Sequence, residues 1–204
     1  MIYHGKTCYI LETKHTSYAF LVMGSKHLEH LYYGEKLMIP EACDIDELCQ
    51  PLHEKREFAA GNAVVYAEEW PALSLEDTCL EFSAYGKGDI REPFIEIEFA
   101  DGSVSNDFLF ESASVHNGKE GLAGLPSAYA QEETVQQLTV VLRERCHAVK
   151  LELLYSVFPE TDVIVRSARV TNEGKDPVTV KRLMSTQIDF DENGLVFTGF
   201  TGAW

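Results

Sequence analysis

The 204-residue sequence predicts an all-β fold: a large antiparallel sandwich of two sheets with at most one or two short helices. Three observations carry this. Apolar and polar residues alternate with period two through much of the chain. Turn dipeptides punctuate the runs about every ten residues, and no segment sustains a helical stripe.

In chain order, SKHLEHLYYG (25–34) reads as an amphipathic strand. The acidic stretch EACDIDELCQPLHEKRE (41–57) is the best candidate for one short helix. Residues 53–76 lack clean alternation and read as a long excursion between strands, and long ordered loops are often functional. In FIEIEF (94–99), Ile95 and Ile97 interleave with Glu96 and Glu98. Asp101-Gly102 joins that run to VSNDFLF as the clearest hairpin. LTVVL (138–142) and VTVKRLMSTQI (178–188) repeat the pattern. VKLELLYSV (149–157) places Val149, Leu151, Leu153, Tyr155 and Val157 on one face, against Lys150, Glu152, Leu154 and Ser156. Asn117-Gly118, Asn172-Glu173-Gly174 and Asn193-Gly194 mark further turns.

Composition narrows the function classes. A formal net charge of −16 argues against nucleic-acid binding, which needs a basic face, and against anionic membranes. It is compatible with neutral ligands such as sugars, or with solubility alone. Five cysteines (Cys8, Cys43, Cys49, Cys79, Cys146) are odd in number and irregular in spacing, with no CxxC. No Asn-x-Ser/Thr sequon and no basic-then-apolar leader occur. The expectation is a soluble cytoplasmic protein with reduced thiols.

Several motifs invite a chemical reading. AYGKGDIREP (84–93) brackets a lysine with glycines, yet Pro93 and the alternating FIEIEF make the continuation a strand. A dinucleotide fingerprint needs a helix there, and a phosphate loop needs Gly-Lys-Ser/Thr. The structural reading is a glycine-permitted turn with Asp89 and Arg91 on one side, suited to an ion pair. DFDENG (189–194) imitates half of a calcium loop through Asp189, Asp191 and Asn193, but position twelve is Phe200 and the flanks read as strands. His27 and His30 have no further ligands to complete a metal site. No GxSxG elbow is present, and a catalytic carboxylate pair cannot be singled out among 33 acidic residues. No metal or cofactor is expected.

Six stretches, in order over nearly the whole chain, resemble the N-terminal domain of glycoside hydrolase family 36 α-galactosidases. They are HLEHLYYGEKL, SLEDTCLEFSAYGKGDIREPFIEIEFADGS, GKEGLAGLPSAY, LELLYSVFPETDVIVRSARVTNEG, LMSTQIDF and the final GAW. Tyr85, Gly86, Gly88, Asp89 and Arg91 match the family's most recognisable block. Ile90 departs from it, standing where an aromatic is common, a conservative change for a buried strand position. The resemblance implies a β-supersandwich spanning 1–204, followed in the parent enzyme by a catalytic (β/α)₈ barrel and a small C-terminal β domain. Both catalytic aspartates then lie in the barrel and none in this chain, which reads as a cut or truncated piece, inactive alone.

The implied parent reaction is retaining release of terminal α-linked galactose from oligosaccharides such as melibiose and raffinose. Related members act on α-N-acetylgalactosamine or transfer galactosyl groups. The implied partners are the chain's own barrel and, through a homo-oligomer that in several members is a tetramer, a neighbouring subunit whose substrate pocket an N-terminal loop reaches. By position that loop falls within 53–76. Trp70 is placed to stack on a sugar face, with Asn62, Glu68 or Glu69 bonding hydroxyls; the competing reading makes Trp70 packing or interface filler. Separation from the barrel is expected to expose an apolar face. The alternative from another class is an independent carbohydrate-binding or interaction sandwich.

Overall fold

A computed structural model describes residues 1–54, 65–128, 134–190, 194–196 and 198–202. The alternation of VKLELLYSV lies at the centre of a sheet. This strand, β8 (Val149–Phe158), pairs with β7 (Gln136–Glu144) on one side and β9 (Val163–Asn172) on the other, and β6 (Phe108–Asn117) completes an antiparallel order β6-β7-β8-β9. Val149, Leu151, Leu153, Tyr155 and Val157 are buried together with Leu138, Val140 and Leu142 of β7. Lys150 and Glu152 stay on the other face and pair at 3.5 Å.

The chain begins with a second four-stranded meander: β1 (Ile2–His4), β2 (Cys8–Glu12), β3 (Thr16–Val22) and β4 (Leu28–Glu35). Tyr9, Leu11, Tyr18 and Phe20 of its inner face share one core with β8 and β7, so the two meanders are the predicted sandwich. A small antiparallel pair, β5 (Ile95–Glu98) with β10 (Thr179–Leu183), adds Ile95 and Ile97 to that core.

Alternation fails in β2 and β3 for a physical reason: both faces of this meander are covered. Every residue of β2 is buried. Cys8, Ile10, Ala19 and Leu21 face a second core, closed by α1 (Ile45–Glu54) and by Leu73, Leu75 and Leu80. A sheet buried on both sides reads as a continuous apolar run. The helix starts at Ile45, later than the 41–57 stretch suggested. Asp44 accepts a hydrogen bond from the Asp46 amide at 2.9 Å, which caps its start, and residues 55–57 lie outside the described chain.

Four expectations are corrected. The reading of all cysteines as reduced thiols fails at Cys8 and Cys49, which form a disulfide between β2 and α1 with Cα atoms 6.5 Å apart; docking of the helix brings together residues 41 apart in sequence. The other three cysteines form no disulfide. Asp101-Gly102 does make a tight turn, closed by Phe99 and Ser103, but it does not join two paired strands: β5 pairs with β10, and Asn106 takes the place of a ladder partner through its amide group. Residues 184–188 continue beyond β10 outside any strand. Ile90 is 87% exposed on the motif's bend rather than buried in a strand.

Candidate functional site

Segment 65–73 folds back on itself, with the Tyr66 amide bonding the Leu73 carbonyl at 2.7 Å and the Leu73 amide the Trp70 carbonyl at 3.0 Å. This presents Trp70 over Gly24. A Cβ at Gly24 would stand 2.7 Å from Trp70 Cη2, so the indole rests directly on glycine backbone. Trp70 remains 40% exposed and walls a groove of about 400 Å³ with an apolar floor of Leu21, Met23 and Leu73. Thr7, Ser25, Gln50, His53 and Glu69 supply its polar groups. His53 Nδ1 is held at 2.6 Å from Oε2 of the fully buried Glu29. An aromatic wall, an apolar floor and a polar rim suit a flat ring bearing hydroxyls. Glu68 is exposed beside the groove without lining it, and Asn62 lies outside the described residues.

AYGKGDIREP forms a clasp. Gly86 (φ 97°) and Gly88 (φ 82°) adopt the left-handed backbone that favours glycine, and a Cβ at Gly86 would meet the Ser105 backbone at 3.0 Å. Asp89 accepts three hydrogen bonds from Arg91, from its backbone amide at 3.0 Å, from Nε at 2.9 Å and from Nη2 at 2.8 Å. The same guanidinium donates to Asp189 at 2.9 Å and to the Leu75 carbonyl at 2.9 Å. Asp189, the first acid of DFDENG, thus belongs to this clasp; Asp191 and Asn193 lie outside the described residues. Tyr85 is exposed, and Lys87 stands over the Tyr66 ring with Nζ 3.7 Å from Asp107.

The densest polar constellation was not legible in the sequence. Glu81, fully buried between the sheets, accepts hydrogen bonds from the hydroxyls of Tyr18 (2.6 Å) and Tyr155 (2.6 Å), and contacts Arg166 Nη2 at 2.9 Å. His30 Nδ1 lies 3.3 Å away. Arg166 also donates to Tyr18, Thr186 and the Gln187 carbonyl, each at 3.0 Å. Burial pulls the Glu81 pKa up, but Arg166, His30 and Tyr155 outweigh it and hold the carboxyl below its ordinary value. Burial and the Glu81 charge push both tyrosine hydroxyls well up. These groups are spent on one another, which describes a structural pin. Glu81 and Arg166 fall in two of the stretches that carry the family resemblance, 85 residues apart, and nothing in either stretch marks them as a pair.

His27 and His30 diverge. His27 Nε2 bonds Asp107 at 3.1 Å, and Tyr66 donates to the other Asp107 oxygen at 2.9 Å. Burial and this bond push the Tyr66 hydroxyl up to about 12. Among the described residues, no group of three or more His, Cys, Asp or Glu side chains is arranged to hold a metal ion. No helix among them is long and apolar enough to cross a membrane.

Comparison with known proteins gives a consistent result. The family model for the glycosyl hydrolase family 36 N-terminal domain matches residues 26–204. The bifunctional α-galactosidase/sucrose kinase AgaSK of Mediterraneibacter gnavus is 34% identical over 187 residues, covering 91% of this chain and 19% of that protein. The crystal structure of an α-galactosidase from Lactobacillus brevis superposes with a TM-score of 0.81 at 30% identity, covering 92% of this chain and 25% of that one. A substituted form of the family 36 α-galactosidase AgaA from Geobacillus stearothermophilus, solved in complex with raffinose, gives 0.78 at 26% identity, over 90% and 24%. The chain therefore spans about a fifth to a quarter of the relatives it resembles.

Proposed function

The chain belongs to the glycosyl hydrolase family 36 N-terminal domain family, and from that premise we propose that it is the non-catalytic β-sandwich of an α-galactosidase. The parent enzyme releases terminal α-linked galactose from oligosaccharides with retention, and the two reacting carboxylates are supplied from outside residues 1–204. The observation that carries this reading is the 34% identity to AgaSK over 91% of the chain. The raffinose complex of AgaA supports the substrate class. Internal pairing of the family-motif residues fits a structural role: Arg91 is bound to Asp89, and Arg166 to Glu81. The 204-residue chain alone is expected to release no nitrophenol from nitrophenyl α-galactoside above background; measurable turnover would overturn the non-catalytic assignment.

The domain's contribution is to assembly in a cytoplasmic homo-oligomer, and to a neighbouring subunit's substrate pocket through the segment that carries Trp70. The half-exposed indole, supported from behind by Gly24 and flanked by Glu68 and Glu69, supports that role. Trp70→Ala in the parent enzyme is expected to raise KM for raffinose about three- to tenfold with assembly intact, the scale of a lost aromatic stacking contact. An unchanged KM in an intact oligomer would assign Trp70 to packing.

A further inference from the structure

We propose that Cys8–Cys49 is a redox-sensitive latch that fixes α1, and with it one wall of the Trp70 groove. The helix is intrinsically weak. It has ten residues, and Pro51 inside it removes a backbone donor. Its position therefore depends on tertiary anchors, and three of them follow one face at residues 46, 49 and 53. Asp46 receives the amides of Lys6, Thr7 and Cys8 at 2.7, 3.0 and 2.9 Å. Cys49 is bonded to Cys8, and His53 meets the buried Glu29. The covalent anchor is the central one. Thr7 and Gln50, the immediate neighbours of the two half-cystines, both line the groove, as does His53. The latch does not depend on the sugar reading of that groove.

The chemistry is thiol–disulfide exchange with a dithiol reductant. One reductant thiolate attacks a cystine sulfur to form a mixed disulfide and release one protein thiolate. The second reductant thiol then displaces the other protein thiol, so two electrons and two protons pass to the protein and the reductant leaves as its disulfide. Both half-cystines are only 1% exposed, so attack requires α1 to lift first.

The chain, purified without reductant and denatured in a thiol-reactive dye, is expected to show three reactive thiols; five would overturn the latch. Amide exchange over residues 45–54 is then compared in the oxidised chain and in chain kept in dithiothreitol. At least tenfold faster exchange after reduction is expected, and equal rates would overturn the proposal. Cys49→Ser should exchange like the reduced chain, and exchange at the oxidised rate would count against it. If that variant does not fold, the comparison of the two redox states of the unaltered chain still decides.

Discussion

At the residue scale, the polar side chains that mark this sequence are bound to one another. Asp89 and Arg91 could be paired from the sequence because they stand two apart on an extended turn. Glu81 and Arg166 could not, since only the packing of two meanders brings them within 2.9 Å. Glu81→Gln keeps the shape, removes the charge and leaves a buried guanidinium uncompensated. Urea unfolding at pH 7 is expected to show a loss of about 3–5 kcal/mol, the cost of breaking a buried pair from one side. A loss under about 1 kcal/mol would show that Tyr18, Tyr155 and the carbonyls hold Arg166 unaided. The folded pKa of Glu81 lies below the unfolded one. Its stabilisation is therefore complete above the unfolded value of about 4.3 and disappears as pH falls through the folded value. The acid limb of the unaltered chain should accordingly be steeper than that of Glu81→Gln.

At the element scale, strands covered on one face were legible and those covered on both were not. β5 and the first half of β8 alternate because Glu96, Glu98, Lys150 and Glu152 keep one side polar and partly open, whereas β2 is buried throughout and carries no period. The third layer responsible, α1 with segment 73–80, is short, and its anchors lie far away in sequence. The groove inherits that difficulty. Trp70 and Glu69 were legible as exposed chemistry on a long excursion, but Thr7, Gln50 and His53 reach the same groove only because α1 docks beside the β1–β2 turn. That turn depends on Gly5. A Cβ there would stand 2.5 Å from the Asp46 carboxylate, which four hydrogen bonds from Lys6, Thr7 and Cys8 hold in place. Gly5→Ala must push the carboxylate off its amides, and a loss of about 1–3 kcal/mol in urea unfolding is expected, as for other overpacked sites. A loss below about 0.5 kcal/mol would mean that α1 moves freely with the turn.

At the scale of the whole molecule, charge and apolar surface oppose each other. The net charge of −16 makes copies of the chain repel. Exposed apolar side chains concentrate after β9, at Val180, Leu183, Met184, Phe190, Leu195, Val196 and Phe200, with Tyr33 of β4 in ring contact with Phe190. Exposed apolar surface of this kind favours association. Salt decides which effect wins, because charge repulsion is screened over about 10 Å at 0.1 M and about 3 Å at 1 M, while apolar contact is not weakened. Sedimentation of the 204-residue chain is expected to show monomer at low protein concentration in about 0.01 M salt, where screening extends over roughly 30 Å. The average mass should rise with protein concentration in about 1 M sodium chloride. Replacing Val196 and Phe200 with serine should reduce that rise. A chain that stays monomeric under every condition would show that these side chains do not act as one adhesive surface, and that the apolar stretch is local packing of the residues around it.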